Sequence, residues 1–380
     1  MLVAITPEDK LIISCLKNKN KDINVAINEE QLLHRLNYHK VTSMVYQKLL
    51  QNHCIGNLTL KNQAFLKEHY KANFVQNIAI NYLTQKISNI LYVNNIDIIV
   101  LKGAMLIHSF PDYAATREMR DLDILVRRCD LELALKILEK HGFDISCFTE
   151  AINNKRKYWF ALNLSNAFPI MPSAQALPVI TVEIHHRLFS CINKTYWSER
   201  SLWERAEFCT QQKFYYLDST DVFLHLCAHQ CSDLQIYLSG FMDIAYLLKT
   251  WQEKINWTAV IERAKYRKML LHLVNALRVT HEITSTPLPQ AYYTFLQPYE
   301  TAAEPGYYLL LQRLFTQELK ENMTETIKIS KTFRHLEYSN LWERFLLEMQ
   351  LAIPLSIHLQ CGYYFDKYFK NSWSDNNQSY

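Results

Sequence analysis

Two short apolar runs limit what this chain can fold into. Residues 96–101 (IDIIVL) and 121–126 (DLDILV) are compact and rich in β-branched side chains, and helical text lies on both sides of them. Any sheet must therefore be built in a small region in the middle of the chain. The first run ends at Lys102-Gly103 and passes into AMLIHSF, which reads as a short helix. Asp130 is placed to cap a helix that runs to Lys140, with Gly142 just past its end. Residues 143–148, 158–164 and 179–185 are further strand candidates, and the proline-containing stretch 165–178 (SNAFPIMPSAQALP) reads as a loop. Residues 94–190 are thus α/β.

The flanks are helical. Thr6, followed by Pro7, Glu8 and Asp9, is a capped helix start, and Asn28 with Gln31 three places on resembles a capping box. Residues 58–92 carry apolar residues at helical spacing without Gly or Pro. After 217, Asp218 or Ser219 caps DVFLHLCAH, and helices are expected at 241–253, 257–283, 291–320 and 336–370. The expected layout is α+β: a helical region 1–93, a small mixed-sheet core 94–217, an all-helical region 218–370 and a disordered tail 371–380.

Composition narrows the function classes. Of 380 residues, 49% are hydrophobic and 21% charged, as in an ordinary globular protein. A net charge of +4 gives no reason to expect binding of bulk nucleic acid, which needs Lys and Arg in excess. Nine unpatterned Cys, without a CxxC pair, suggest a reduced, cytoplasmic protein. Neither a signal peptide nor a membrane-spanning run is expected.

The chemistry concentrates in three places. Side chains alternate across a strand, so Asp121 and Asp123 share one face, their carboxylates about 7 Å apart, while Leu122 and Ile124 share the other. Such a pair suits Mg²⁺ or Mn²⁺, whose coordination is completed by water and substrate phosphates. VITVEIHH supplies a third acid: Ile180, Val182 and Ile184 form its apolar face, and Thr181, Glu183 and His185 its polar one. Gly103, at a strand-to-helix turn, lets backbone N–H groups approach a triphosphate at the start of a helix.

In that order, LKGAML, REMRDLDILV and VEIHHRLF resemble a bacterial group labelled the uncharacterised nucleotidyltransferase family, within the DNA polymerase beta-like nucleotidyltransferase superfold. DVFLHLCAHQ and FMDIAYLL resemble the helical C-terminal portion of that group, so the resemblance covers roughly residues 90–280. It implies a nucleotidyltransferase that uses a nucleoside triphosphate, with ATP the expected one, and a divalent metal. The metal acids and catalytic residues would be Asp121, Asp123 and Glu183, and Gly103 the phosphate-turn glycine. The turn departs from the usual Gly-Gly or Gly-Ser, because Ala104 follows Gly103 and offers no hydroxyl.

Lys102 either stands beside the triphosphate as a cation or pairs with an acid. Arg117 and Arg120 bind phosphate oxygens or balance Asp121 and Asp123. His225 and His229 are four apart on one helix face; without the Glu of an HExxH motif they read as packed or site-lining rather than zinc-binding. Asp243 reads as a solvent-facing acid, or else as a partner of His229 or a cleft residue. His185 is expected to orient Glu183, and His186 to be partly buried. His185, His225, His229 and Asp243 are the candidates for an acceptor cleft. KYRK (265–268) reads as a solvated face. The acceptor remains open between a small molecule, a peptide or protein side chain and an RNA end. The rival reading is a catalytically weak nucleotide-binding scaffold that regulates a partner.

Overall fold

The computed structural model describes residues 5–17, 27–146, 148–149, 167–172, 180–188, 199–232 and 236–315. Four helices open the chain: α1 (Pro7–Leu16), α2 (Glu29–Tyr38), α3 (Thr42–Gln51) and α4 (Leu60–Tyr92). Both predicted caps form. The Thr6 hydroxyl accepts from Asp9 N–H, and the Asn28 side chain accepts from Gln31 N–H. The helix that Asn28 caps ends at Tyr38, and Lys40, between α2 and α3, takes a left-handed φ of 55°.

The middle of the chain contributes β1 (Ile98–Val100), α5 (Lys102–Ser109), α6 (Pro111–Ala114), β2 (Asp121–Val126) and α7 (Leu131–Lys140). These are followed by β3 (Phe143–Asp144), β4 (Ala167–Pro172), β5 (Thr181–His185), α8 (Glu199–Arg205), β6 (Glu207–Cys209) and β7 (Phe214–Tyr216). The strands form one mixed sheet in the order β3-β4-β5-β2-β1-β7-β6. β2 is central: it runs parallel to β5 on one side and antiparallel to β1 on the other.

The sheet is wider than the sequence suggested. β4 lies inside the stretch expected to be a loop and pairs antiparallel with β5. Its prolines disguise it, yet Phe168 and Ile170 alternate inward and are buried. β3 covers only Met171 and Pro172 of β4, so at Pro169 one side of the strand has no described partner, a position that tolerates a residue lacking an N–H. The β6–β7 hairpin was also unforeseen; it extends the sheet beyond residue 190 by parallel pairing of β7 with β1. Of the strand expected at 143–148 only the first two residues pair, and the one expected at 158–164 lies outside the described residues.

The second helical region comprises α9 (Ser219–Ser232), α10 (Leu238–Thr250), α11 (Trp257–Tyr266), α12 (Leu270–Thr284) and α13 (Glu300–Phe315). Asp218 caps α9 by accepting from Asp221 N–H at 2.8 Å. The helix expected over 257–283 is interrupted at Lys268, whose φ is 53°. KYRK is not a solvated face throughout, because Arg267 turns inward and donates to Asp221 at 2.7 Å. The helix and tail expected over 336–380 lie outside the described residues. Among those described, no helix is long and apolar enough to cross a membrane.

One buried apolar cluster runs from α1 through both faces of the sheet to α13. Polar contacts then fix the segment that leads into β2. From the long α4, Asn77 donates its amide to the carbonyls of Ala114 (2.6 Å) and Arg117 (2.7 Å), and Asn73 donates to that of Ala115. Glu118 accepts from Ser43 N–H of α3 at 2.6 Å. The residues just before the two strand acids are therefore clamped by helices that precede the sheet.

Candidate functional site

The site forms where β2 and β5 run side by side. Their register sets Asp121 opposite Thr181, Asp123 opposite Glu183 and Leu125 opposite His185. Asp123 and Glu183, sixty residues apart, thereby become neighbours on one sheet face. His185 follows Glu183 by two residues and so shares its face. Its Nε2 lies 2.8 Å from Asp123 Oδ1 and 3.3 Å from Glu183 Oε2. Asp123, Glu183 and His185 each offer one ligand atom, and these atoms all lie within 4.8 Å of one another.

The metal set read from the sequence was Asp121, Asp123 and Glu183. The structure gathers Asp123, Glu183 and His185 into the tight group and leaves Asp121 at its edge, on the first residue of β2. Asp121 remains within electrostatic reach: burial pushes its carboxyl up, the Asp123 charge adds to that, and Lys40 and Lys102 oppose it. His185 thus does more than orient Glu183, since it bonds to both acids. The two-residue periodicity that paired Asp121 with Asp123 could have found it. Two carboxylates and an imidazole converging within 4.8 Å, with a third acid on the same face, fit a divalent cation.

The β1–α5 turn supplies the countercharge. Lys102 opens α5 in the left-handed region, at φ 47°. Its Nζ reaches back to Asp123 Oδ1 at 2.8 Å, and both side chains are largely buried. Of the two roles open to Lys102, pairing with an acid is the one seen. Burial alone would raise Asp123, but the Lys102 ammonium and the His185 hydrogen bond outweigh it and hold the carboxyl well below the usual carboxylate range. Burial likewise depresses Lys102 and His185, yet the facing acids win and both are raised.

Gly103 is required by close approach. A Cβ there would come 2.6 Å from Met119 Sδ and 3.4 Å from an Arg117 guanidinium nitrogen. The Ala104 side chain points into the core, which leaves only its backbone for a ligand.

In their hydrogen bonds the two arginines turn to groups other than Asp121 and Asp123, and Asp121 acts on Arg117 through its charge. Arg117 donates Nε to Asp243 Oδ1 at 2.7 Å, and Tyr113 donates its hydroxyl to the same oxygen at 2.9 Å. Asp243 is therefore not a solvent-facing acid and does not pair with His229; it is 2% exposed and holds Arg117. Arg120 is exposed and bonds Asn37 of α2 at 3.3 Å. The sequence carried no signal for Tyr113, or for Lys40 as a charge near Asp121.

Helix α9 comes close to the acids. Burial drives the His225 imidazole far below its usual range, and Lys102, His229 and His185 push the same way. His229, one turn on, is half-buried, with its ring 6.2 Å from that of His225. His186 is fully buried rather than partly so.

A family model described as uncharacterised nucleotidyltransferase matches residues 26–285. The chain belongs to that family. The match begins in the N-terminal helices, well before the stretch whose motifs carried the resemblance, and so takes in α2 to α4 with the sheet and the helices up to α12. Neither a curated protein nor a solved structure matches the chain. Membership in this family together with a candidate metal cluster points to nucleotidyltransferase activity.

Proposed function

We propose that this protein binds a nucleoside triphosphate with a divalent cation and transfers the nucleoside monophosphate group to an acceptor hydroxyl or amine. The observation that carries this reading is the in-register pairing of Asp123 with Glu183, with Asp121 on the same face. A scaffold that only binds nucleotide has no need of two acids paired across neighbouring strands with a third on the same face. The central β2, flanked by β1 and β5, also supports the nucleotidyltransferase superfold. We take residues 94–217 as the catalytic core and the helices that begin at Ser219 as the wall that closes the cleft.

Asp121, Asp123 and Glu183 would hold Mg²⁺ or Mn²⁺, with His185 fixing the two acids nearest each other. The bound ion supplies charge neutralisation for the phosphates and for the departing pyrophosphate. The first turn of α5 presents backbone N–H groups without helical partners, a seat for phosphate oxygens next to Lys102. The acceptor oxygen or nitrogen attacks the α-phosphorus, the bond to the bridging oxygen breaks, and pyrophosphate leaves in line. The acceptor proton passes to Glu183, whose side chain is 33% exposed against 6% for Asp123 and so faces the open side. His229 would line the acceptor side, next to the buried His225. Arg117 would orient the α5 turn, with Asp243 acting through it. ATP is the expected nucleotide, and a small molecule, a protein side chain or an RNA end the acceptor.

The test is incubation with each labelled triphosphate and Mg²⁺ or Mn²⁺, followed by mass spectrometry of the protein and of candidate acceptors. Transfer with release of pyrophosphate is expected, and Asp123→Asn or Glu183→Gln should abolish both while the melting temperature is retained. Full turnover by Asp123→Asn would refute the assignment. Nucleotide binding without turnover, against all three acceptor classes, would favour the scaffold.

A further inference from the structure

Asp123 Oδ1 is taken twice over. Lys102 Nζ donates to it at 2.8 Å, and His185 Nε2 lies at the same distance. A metal ion that used this oxygen would meet the Lys102 ammonium already in place. Glu183 and Asp121 add their charges to the hold on that ammonium.

The lysine is also fixed from the backbone side. Leu101 N–H donates to the Asp123 carbonyl at 3.0 Å, so the residue before Lys102 is tied to the same residue that its side chain grips. Lys102 itself sits at φ 47°, a conformation that a residue with a Cβ adopts only when its surroundings impose it. Gly103 behind it is packed against Met119. The turn therefore holds the ammonium on Asp123 while placing Lys102 at the N-terminus of α5, where a triphosphate would be seated.

We propose that Lys102 is a tethered cation that occupies the metal acid Asp123 until a nucleotide arrives, so that metal and triphosphate bind cooperatively. This rests on the reading of the site as one for metal and nucleotide. Without a nucleotide, a divalent ion must displace the ammonium or bear its repulsion at the shared oxygen. When a triphosphate enters at α5, its oxygens give the ammonium a new anionic partner one residue from its own backbone. Lys102 swings to the phosphates and Asp123 passes to the ion. No bond is made or broken, and only the partners of one lysine change. The same side chain thus serves as partner of an acid in the resting protein and as partner of phosphate in the loaded one. The device keeps the acids from collecting metal in the absence of substrate.

The experiment measures Mn²⁺ binding to the full chain by electron paramagnetic resonance, without nucleotide and with an α,β-methylene triphosphate. Wild type is expected to bind Mn²⁺ weakly alone. Lys102→Met should bind Mn²⁺ alone roughly 10-fold more tightly, within the range of ordinary coupling between sites, and should bind the analogue more weakly. Lys102→Gly is the second variant: it also removes the ammonium and relaxes the left-handed backbone, so it keeps the test alive if Lys102→Met fails to fold. Unchanged or weaker nucleotide-free Mn²⁺ binding in the folded variants would overturn the lock while leaving the metal site standing. Absence of Mn²⁺ binding in wild type, with the analogue or without it, would overturn the site and the lock together. An Asp123→Asn control distinguishes binding at this site from binding elsewhere.

Discussion

Arg117 Nε lies 2.7 Å from Asp243 Oδ1, and this buried ion pair joins the segment leading into the acid-bearing strand to a helix 126 residues further on. Cutting one side leaves the other charge stranded in the interior. Asp243→Asn should therefore cost about 3–5 kcal/mol in denaturant unfolding. The double variant Arg117→Met/Asp243→Leu, which removes both charges, should recover most of that stability without restoring activity. If the double variant is no more stable than Asp243→Asn, the pair is not what holds the two elements together.

Gly103→Ala tests the close approach at the turn. The added methyl would meet Met119 Sδ at 2.6 Å, and Met119 is buried, so the side chain has little room to yield. A loss of about 1–3 kcal/mol is expected, as for other overpacked interiors. Combining it with Met119→Val should recover part of the loss. Unchanged stability in Gly103→Ala would show that Met119 relaxes freely.

Glu118 gives the fold a pH dependence near neutrality. Burial pushes its carboxyl up from an ordinary value near 4.5 to about 7, against the pull of the Ser43 N–H, Arg117 and Arg120. His69, 3.9 Å away, is itself lowered by burial. A carboxyl raised in the folded state contributes stability that is fully present below 4.5 and lost as pH rises through about 7. Glu118→Gln keeps an oxygen for the Ser43 N–H and removes the titration. Relative to wild type it should gain on the order of 2–3 kcal/mol between pH 5 and pH 8. Parallel stability curves for the two proteins would refute this.

His229→Ala tests the acceptor side. His225 is buried and held neutral, but His229 one turn away is half-buried and can touch a ligand. Its loss should raise the acceptor KM roughly tenfold, about 1.4 kcal/mol, while triphosphate and metal affinity stay near wild type. Loss of nucleotide binding instead would put His229 on the phosphate side.

Much of this site was legible from local rules. Two-residue alternation put Asp121 with Asp123 and Glu183 with His185, and cap chemistry located the starts of α1, α2 and α9. Prolines hid β4, because a strand at the margin of a sheet can carry them while its propensity argues against a strand. The β6–β7 hairpin was missed because its strands are only three residues each and draw their support from β1.

Which side chains share a strand face and where the helices near the site begin follow from local sequence, since sterics and backbone hydrogen bonding act over a few residues. It took the folded chain to set Glu183 beside Asp123, Lys102 on Asp123 and Arg117 on Asp243. Those partners are chosen by the register of β2 on β5 and by the packing of helices from both ends of the chain into one apolar cluster with the sheet. A buried charge takes whichever counter-ion packing brings within reach, however far away it lies in the chain.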